Sequence, residues 1–399
     1  MVGQAWLILV MTNDPFVLGI ATAAQGLPIA AFALLGGAIA DRVSKRRLIL
    51  VTQTAMLILA LVLGLLCLTG TVAVWHVLVL AVALGCVNAI DMPARQAFVV
   101  EMVGPSAVAS AVGLGSAAYN TARLVGPAIG GLVIGAATAQ MGSAVQGTGI
   151  TFVINAASFG AVVLGLLWMR DSELFPIQRQ AAARGFRAVV REIGEGLAHV
   201  RDSKAVLGAL VSGGLISTVA TNFTVLVPVL AREDLRMDAG GLGLLLSSVG
   251  IGALVAALSI GIGGRAGLSA IVGGSVLLGV ALVLTGVAGM PLTIVALLVA
   301  GAGSTWMRTA VNTSVQLATP PPLRGRVMSV FAIVFEGSSP VGGILAGALA
   351  ALLGGRVAFI ATGAVAILIA VLAAPLLVRA RRAPSAAGPV PAGPAAPPP

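Results

Sequence analysis

Eleven long apolar runs set the limits on what this chain of 399 residues can fold into. Each run is long enough to cross a lipid bilayer, because a membrane-spanning α-helix needs about 20 mostly apolar residues. The runs cover approximately residues 15–40, 47–69, 74–92, 108–136, 148–169, 205–230, 240–263, 268–289, 291–313, 327–353 and 356–379. The sequence therefore predicts an all-α polytopic membrane protein with eleven full spans.

A shorter apolar run precedes the first full span. Residues 1–11 read MVGQAWLILVM, which is about half a bilayer crossing at the rise of an α-helix. A secretory signal peptide is the weaker interpretation, because the run lacks a basic start and a clear small-residue cleavage site. We expect this run to be the truncated first helix of a twelve-helix protein.

The charge content excludes an ordinary soluble domain. Only 9% of the residues are charged and 58% are hydrophobic, whereas soluble domains carry roughly 25% charged residues. The formal net charge of +10 would suggest nucleic acid in a soluble protein. Here 18 of the 23 lysines and arginines fall in alternate loops on one side, and 3 on the other. Cytoplasmic loops carry the excess of basic residues, so the bias predicts a multi-pass protein of the inner (cytoplasmic) membrane, with a cytoplasmic C-terminus and no nucleic-acid partner.

The sequence lacks the motifs of common enzymes. Its two lysines, Lys45 and Lys204, do not follow a glycine, so the phosphate loop G-x-x-x-x-G-K-[ST] is impossible. Neither H-E-x-x-H nor C-x-x-C occurs. We therefore expect no enzymatic activity, no cofactor and no metal site.

The two halves of the chain resemble each other. A shift of 213 positions places three residues on notable counterparts: Arg95 on Arg308, Arg123 on Glu336, and Pro127 on Pro340. Parallel six-span halves are the architecture of rocker-switch secondary transporters, whose site lies near the midplane between the halves. We expect an N-terminal transmembrane half at 1–169, a cytoplasmic linker at 170–204, a C-terminal transmembrane half at 205–380 and a disordered Pro/Ala-rich cytoplasmic tail at 381–399.

The linker contains an amphipathic pattern. Apolar residues recur at spacings of three and four, with charged residues between them, at Phe186, Val189, Val190, Ile193, Leu197 and Val200. This spacing predicts a helix. Two interpretations remain open: the helix lies on the membrane surface, or it packs against its own transporter.

The loop after the first full span carries a motif. Residues 36–47 read GGAIADRVSKRR, which resembles the signature G-x-x-x-D-R-x-G-R-[RK] of the major facilitator superfamily, with Ser44 in place of the usual glycine. The matching residues are Gly37, Asp41, Arg42, Lys45 and Arg46. The resemblance implies two six-helix halves related by pseudo-two-fold symmetry, with this loop latching them together on the cytoplasmic side.

The same resemblance suggests partners for the latch. The acid would face the start of the eleventh helix, near Arg326. Asp91, at the end of the fourth helix, is a plausible partner of Lys45 or Arg42. The alternative is that the basic residues only set the topology.

The fifth helix carries a second motif. Residues 120–131 read NTARLVGPAIGG, which resembles the antiporter signature G-x-x-x-G-P-x-x-G-G of the superfamily, with Ala122 at the first glycine position. The matching residues are Gly126, Pro127, Gly130 and Gly131. In the superfamily this signature marks exporters, although ordinary packing of a glycine-rich helix face also accounts for it. Residues 89–103 and 321–329 are similar to the branch that includes the enterobactin exporter and multidrug or macrolide efflux proteins.

Three charged residues fall well inside predicted spans: Arg123, Arg308 and Glu336. An ionisable group in lipid costs about 2.5–3.5 kcal/mol on insertion scales and is a functional candidate by default. Glu336 is therefore our candidate for proton coupling, and a static Glu336–Arg pair that holds the halves together is the alternative. Arg123 and Arg308, with Asn120 one turn from Arg123, are candidates for binding an anionic substrate.

These features favour a secondary-active exporter of a drug-like, siderophore or other amphipathic small molecule. It would exchange its substrate for protons by alternating access, as a monomer in contact with membrane lipid, and could confer multidrug resistance. The alternatives are an importer or a lysolipid flippase on the same fold, or a membrane scaffold or sensor that transports nothing.

Overall fold

The computed structural model describes residues 2–170, 172, 174–175, 186–263 and 267–382. Within these ranges, the side chains of residues 33–42, 186–190, 261–263, 268, 376 and 378–382 lie outside the description. The predicted tail beyond residue 382 and the linker residues 176–185 also lie outside it.

The described part of the chain is helical. The first group of helices is α1 (Val2–Thr12), α2 (Pro15–Arg42), α3 (Lys45–Leu68), α4 (Val74–Val103), α5 (Val108–Met141) and α6 (Ala144–Trp168). After the linker helix α7 (Phe186–Asp202), the second group is α8 (Lys204–Ala220), α9 (Phe223–Val229), a π-helical turn (Leu230–Asp234), α10 (Ala239–Gly263), α11 (Leu268–Val287), α12 (Met290–Ala318), a 3₁₀ turn (Pro321–Leu323), α13 (Arg324–Leu353) and α14 (Gly355–Arg382).

Eleven segments of the described residues are long and apolar enough to cross a membrane, and α1 is a shorter apolar helix. This confirms the predicted all-α polytopic architecture. The segment 204–234, which contains the single span predicted at 205–230, consists of α8, α9 and the π-helical turn.

The ends of the helix bundle differ in charge. One end, which we call the basic end, carries Lys45, Arg46, Arg201 and Arg326 at helix termini. The other end, the opposite end, is formed by the short turns 13–14, 70–73, 142–143, 235–238 and residue 354. Gly142 and Gly354 end α5 and α13 with positive φ angles of 69° and 81°, a conformation that glycine adopts without the strain of a side chain.

The two groups of helices touch along two seams. In the first, between α2 and α13, a Cβ on Gly19 would lie 2.5 Å from the carbonyl oxygen of Gly343, and one on Gly26 would lie 2.9 Å from Pro340 Cγ. Because glycine has no side chain, the backbones of α2 and α13 can approach closely at these positions.

The second seam joins α5 to α10. A Cβ on Gly243 would lie 2.5 Å from the carbonyl oxygen of Pro127, and the Ser247 hydroxyl donates a hydrogen bond to the carbonyl oxygen of Leu124 at 2.8 Å. Closer to the basic end, Leu114 of α5 is 74% exposed and a Cβ on Gly113 would meet no atom within 4 Å. The seams thus close the opposite end, and the cavity between the halves opens towards the basic end.

A break in the helix separates α8 from α9. The backbone leaves the helix at Thr221 and Asn222, and their side chains replace the missing backbone donors. The Thr221 hydroxyl donates to the carbonyl oxygen of Ser217 at 2.8 Å, and Asn222 Nδ2 donates to that of Thr218 at 2.7 Å. Gly342 of α13 packs directly on the break, where its Cβ would lie 2.6 Å from Asn222 Oδ1.

The linker helix α7 packs against the start of α13. Glu195 forms an ion pair with Arg326, Val200 is buried, and a Cβ on Gly196 would lie 2.6 Å from the Arg326 carbonyl oxygen. Of the two interpretations of this amphipathic helix, the structure shows the one in which it packs against its own transporter.

Candidate transport site

An ion pair lies on the cavity wall between α12 and α13. Arg308 Nη2 donates to Glu336 Oε1 at 2.7 Å, and the two side chains are 50% and 55% exposed. Glu336 lies 12 residues into α13, about 18 Å from its start. The pair is therefore deep in the bundle and still in contact with the cavity.

A phenyl ring completes the surroundings of Arg308. The guanidinium carbon lies 5.2 Å from the centroid of the Phe335 ring, within the distance of a cation–π contact. Phe335 is buried and stacks on Phe331 at a centroid distance of 4.4 Å. Arg308 thus has two partners, the titratable carboxylate of Glu336 and the phenyl ring of Phe335, which carries no proton to lose.

Arg123 lies on the other side of the cavity, on α5. Residues at positions 123, 130, 134 and 137 share one helix face, and Ile134 and Ala137 on that face are buried. Arg123 is exposed and forms no ion pair within the described residues. Asn120 Nδ2 donates to the carbonyl oxygen of Ser116 at 2.8 Å. The structure therefore brings Arg308 and Glu336 together and leaves Arg123 separate.

Arg123 and Glu336 occupy equivalent places in the two halves. Each lies four residues before a proline inside its helix, Pro127 and Pro340. Proline has no N–H, so the carbonyl of the residue four positions earlier loses its helical hydrogen bond. Each seam therefore ends at the cavity with a charged residue whose own carbonyl lacks its helical hydrogen bond. Of the motif residues, Gly126 and Gly130 face open space, since a Cβ added to either would have no atom within 4 Å. Gly131 packs on the Ala239 backbone of α10.

A small pocket extends the cavity towards the opposite end. Its volume is about 160 Å³, and it is lined by both halves through α1, α2, α9 and α13. The hydrogen-bonding residues in its wall are Gln4, Thr22, Gln25, Thr224 and Ser339. Ser339 follows Glu336 by three residues, so the pocket begins one turn beyond the ion pair. Sequence reasoning missed these residues; the signal available was two glutamines within apolar runs.

The structure describes only some residues of the predicted cytoplasmic latch. The side chains of Gly37, Asp41 and Arg42 lie outside the described part. Lys45 Nζ lies 2.8 Å from Glu101 Oε1, and Arg46 Nε donates to the Leu166 carbonyl oxygen at 2.9 Å. These contacts tie α3 to α4 and α6 within one half.

Of the two predicted partners of Asp91, Lys45 does not pair with it, and the side chain of Arg42 lies outside the described part. Asp91 is fully buried and lies 2.7 Å from Arg95 Nε, one turn along its own helix. Thr52 and Gln53 of α3 also donate to Asp91 Oδ1, at 2.6 and 3.0 Å. Lys45 pairs instead with Glu101, farther along α4, while Asp91 Oδ1 accepts from two donors inside the α3–α4 contact.

Solved transporter structures share this arrangement of helices. A bacterial homologue of the human lysosomal transporter Spinster, in an inward-facing and unoccupied conformation, superposes with a TM-score of 0.71 at 15% identity, over 96% of each chain. A variant of the nucleoside transporter NupG superposes with a TM-score of 0.71 at 12% identity, over 94% of each chain. These likenesses show that the chain has the all-helical major facilitator fold, with the cavity between its two groups of helices.

Sequence comparison gives the family. Residues 1–390 match the transmembrane secretion effector family of the major facilitator superfamily, and the chain belongs to it. The staphyloferrin A transporter of Staphylococcus aureus is 24% identical over 86% of this chain and 83% of its own. The multidrug efflux pump Tap of Mycolicibacterium fortuitum is 28% identical over 92% of this chain and 89% of its own. The protein is therefore a multi-pass membrane transporter of small molecules.

Proposed function

We propose that this transporter exports a siderophore or a drug-like molecule by alternating access, in exchange for protons bound at Glu336. The observation that carries the proposal is the Arg308–Glu336 ion pair, which is deep in the bundle and still half exposed to the cavity. A titratable carboxylate in that place can exchange protons with whichever side of the membrane the cavity faces.

The basic end is the cytoplasmic side in this proposal. Basic residues are concentrated in the loops at that end, as expected for cytoplasmic loops. The cavity then opens to the cytoplasm, which is the state in which an exporter loads its substrate. The transport unit is a single chain, because both seams and the cavity lie within it.

Each cavity feature has a separate role in the cycle. The uncharged hydrogen-bonding side chains of the small pocket hold polar groups of the substrate. Arg123, which has no ionic partner among the described residues, takes an acidic group where the substrate carries one. Protonation of Glu336 removes the charge that holds it to Arg308. The strength of the ion pair therefore differs between the substrate-loaded state and the proton-loaded state that returns.

The relatives support export over the alternatives. One is named as a siderophore transporter and another as a multidrug efflux pump, and α5 contains the glycines and proline of the exporter signature. On closure of the basic end, Asp41 and Arg42 would approach the start of α13 near Arg326, which in the open state is held by Glu195.

Glu336→Gln tests the coupling directly. We expect at least a tenfold loss of pH-gradient-driven uptake into everted vesicles, because the amide cannot take up or release the proton. The measurement is transport of a panel of fluorescent cations, macrolides and siderophores across an imposed pH gradient. Glu233→Gln is the matched control, since it makes the same chemical change in the π-helical turn at the opposite end, outside the lining of the small pocket, and it should retain transport.

Three outcomes would contradict the proposal. Unchanged gradient-driven transport in Glu336→Gln removes the coupling role. Flux of the panel only in the opposite direction indicates an importer or flippase. No flux of any compound in the unmodified protein favours a scaffold or sensor.

A further inference from the structure

We propose that Phe335 is a positioning residue that keeps Arg308 beside Glu336 throughout the transport cycle. The inference goes one step beyond the proposed function and rests on it, because it assigns to Phe335 the geometry of the coupling pair. The guanidinium carbon of Arg308 lies 5.2 Å from the centre of the Phe335 ring, while Nη2 of the same group donates to Glu336.

The ring is fixed in place by its neighbours on α13 and α8. Phe335 is 2% exposed, and its ring stacks on that of Phe331 one turn earlier, with 26° between the ring planes. A Cβ on Gly213 of α8 would lie 3.1 Å from Phe335 Cζ, so α8 packs against the ring edge. A buried ring with this support cannot move away from Arg308 without repacking the α8–α12–α13 contact.

The guanidinium needs such a support because its other partner titrates. Arg308 is a long side chain, half exposed to the cavity, and a protonated Glu336 no longer attracts it electrostatically. An aromatic face attracts the guanidinium at every pH, since its quadrupole has no proton to lose. With Phe335 in place, Arg308 therefore stays beside Glu336 after the carboxylate has taken up its proton and is there when the proton leaves.

Other charged groups lie too far along the helices to replace Arg308. Among the described residues of the helices packed on α13, Lys204 begins α8 at the basic end, and Arg356 lies in the first turn of α14 at the opposite end. The charged residues of α7 contact the start of α13 at Arg326. Arg308 is the charged side chain that the structure places against Glu336, and an opposite charge at such a distance generally favours an ionised carboxylate.

Phe335→Leu removes the quadrupole and keeps an apolar side chain in the site. Ionised Glu336 then loses part of the attraction of Arg308, so we expect the midpoint of its titration to move up by about half a pH unit. The measurement is an infrared titration of the purified protein in lipid nanodiscs, following the protonated-carboxyl band that is missing in Glu336→Gln. This measurement requires no transported substrate.

Two variants serve as controls. Phe331→Leu alters the stacked ring that does not contact Arg308, and Phe335→Trp keeps a strong aromatic quadrupole; both should titrate within about 0.2 units of the unmodified protein. The inference is overturned if Phe335→Leu titrates like the unmodified protein, or if Phe331→Leu shifts the midpoint equally. It is also overturned if Phe335→Trp raises the midpoint by about half a pH unit, an outcome that can be scored even where Phe335→Leu does not fold. The infrared titration reports on positioning alone, whereas Glu336→Gln transport reports on coupling, so the two proposals fail separately.

Discussion

Asp91 shows how the protein accommodates a charge inside a helix contact. Its carboxylate has lost all contact with solvent and is held by Thr52, Gln53 and Arg95. Two donors from α3 satisfy Oδ1, whereas Oδ2 is held by the charge of Arg95 and accepts no hydrogen bond within the described residues. This cluster joins two helices of one half and contributes to its rigidity.

Asp91→Asn should destabilise the protein. The amide cannot accept from all three donors, and its own N–H groups face the Arg95 guanidinium, so we expect a loss of about 1–3 kcal/mol. The measurement is the thermal or denaturant unfolding transition in detergent, with Asp202→Asn at the exposed end of α7 as the control. The control should change stability by less than about 0.5 kcal/mol. Equal effects of the two variants would show that the cluster adds nothing to stability.

At the residue scale, the sequence can single out intramembrane charges but cannot assign their partners. Arg308 and Glu336 stand out because few charges lie in apolar runs, and an isolated one is costly in lipid. The prediction for Asp91 offered Lys45 or Arg42 and missed Arg95, because the partner depends on which faces of α3 and α4 meet.

At the element scale, the break between α8 and α9 is the clearest departure from regular structure. Its polar side chains take over backbone hydrogen bonds, and the Ser217 and Ser338 hydroxyls connect the break to α13 at 2.9 Å. Helix interruptions in transporters persist where protein groups satisfy the freed backbone. Apolar periodicity predicted one continuous span here, because neither glycine nor proline marks residues 221–222 and side-chain capping leaves no trace in hydropathy.

Gly342→Ala should disturb this break. The new Cβ would lie 2.6 Å from Asn222 Oδ1 and press on the Thr218 carbonyl oxygen, so α8 or α13 has to shift at a cost of about 1–3 kcal/mol. Thermal unfolding in detergent measures the effect. Gly337→Ala on the same helix meets no atom within 4 Å and should leave stability unchanged or raise it by up to about 1 kcal/mol. A melting temperature that is equally high in both variants would mean that the break tolerates a side chain at Gly342.

At the scale of the whole molecule, the two seams determine which end is closed. Both seams lie between the cavity and the opposite end, and both consist of glycine and proline contacts at equivalent places in the two halves. The number and order of the spans could be predicted because a bilayer demands long apolar helices. Which end is closed could not, because one sequence must be compatible with both states.

Gly243→Val should prevent closure of the opposite end. Its side chain would collide with the Pro127 carbonyl oxygen, which lies 2.5 Å from the Cβ position. The measurement is the distance between spin labels at Met141 and Leu352, on α5 and α13 at this end, by electron–electron double resonance in a protein with Cys67 and Cys86 replaced. We expect this distance to increase. Gly113→Val, at an open position of α5, should keep the original distances. Identical distance distributions in the two variants would show that this seam does not hold the end closed.

The composition of the seams has a thermodynamic consequence for the transport cycle. Glycine and proline have little or no side-chain rotamer freedom, so forming or separating the Gly19–Gly343 and Gly243–Pro127 contacts orders almost no side chain. The side-chain entropy that changes when the seams open or close is correspondingly small. This part of the free-energy difference between the two states therefore adds little to the difference in affinity that a bound proton or substrate must supply to shift the equilibrium.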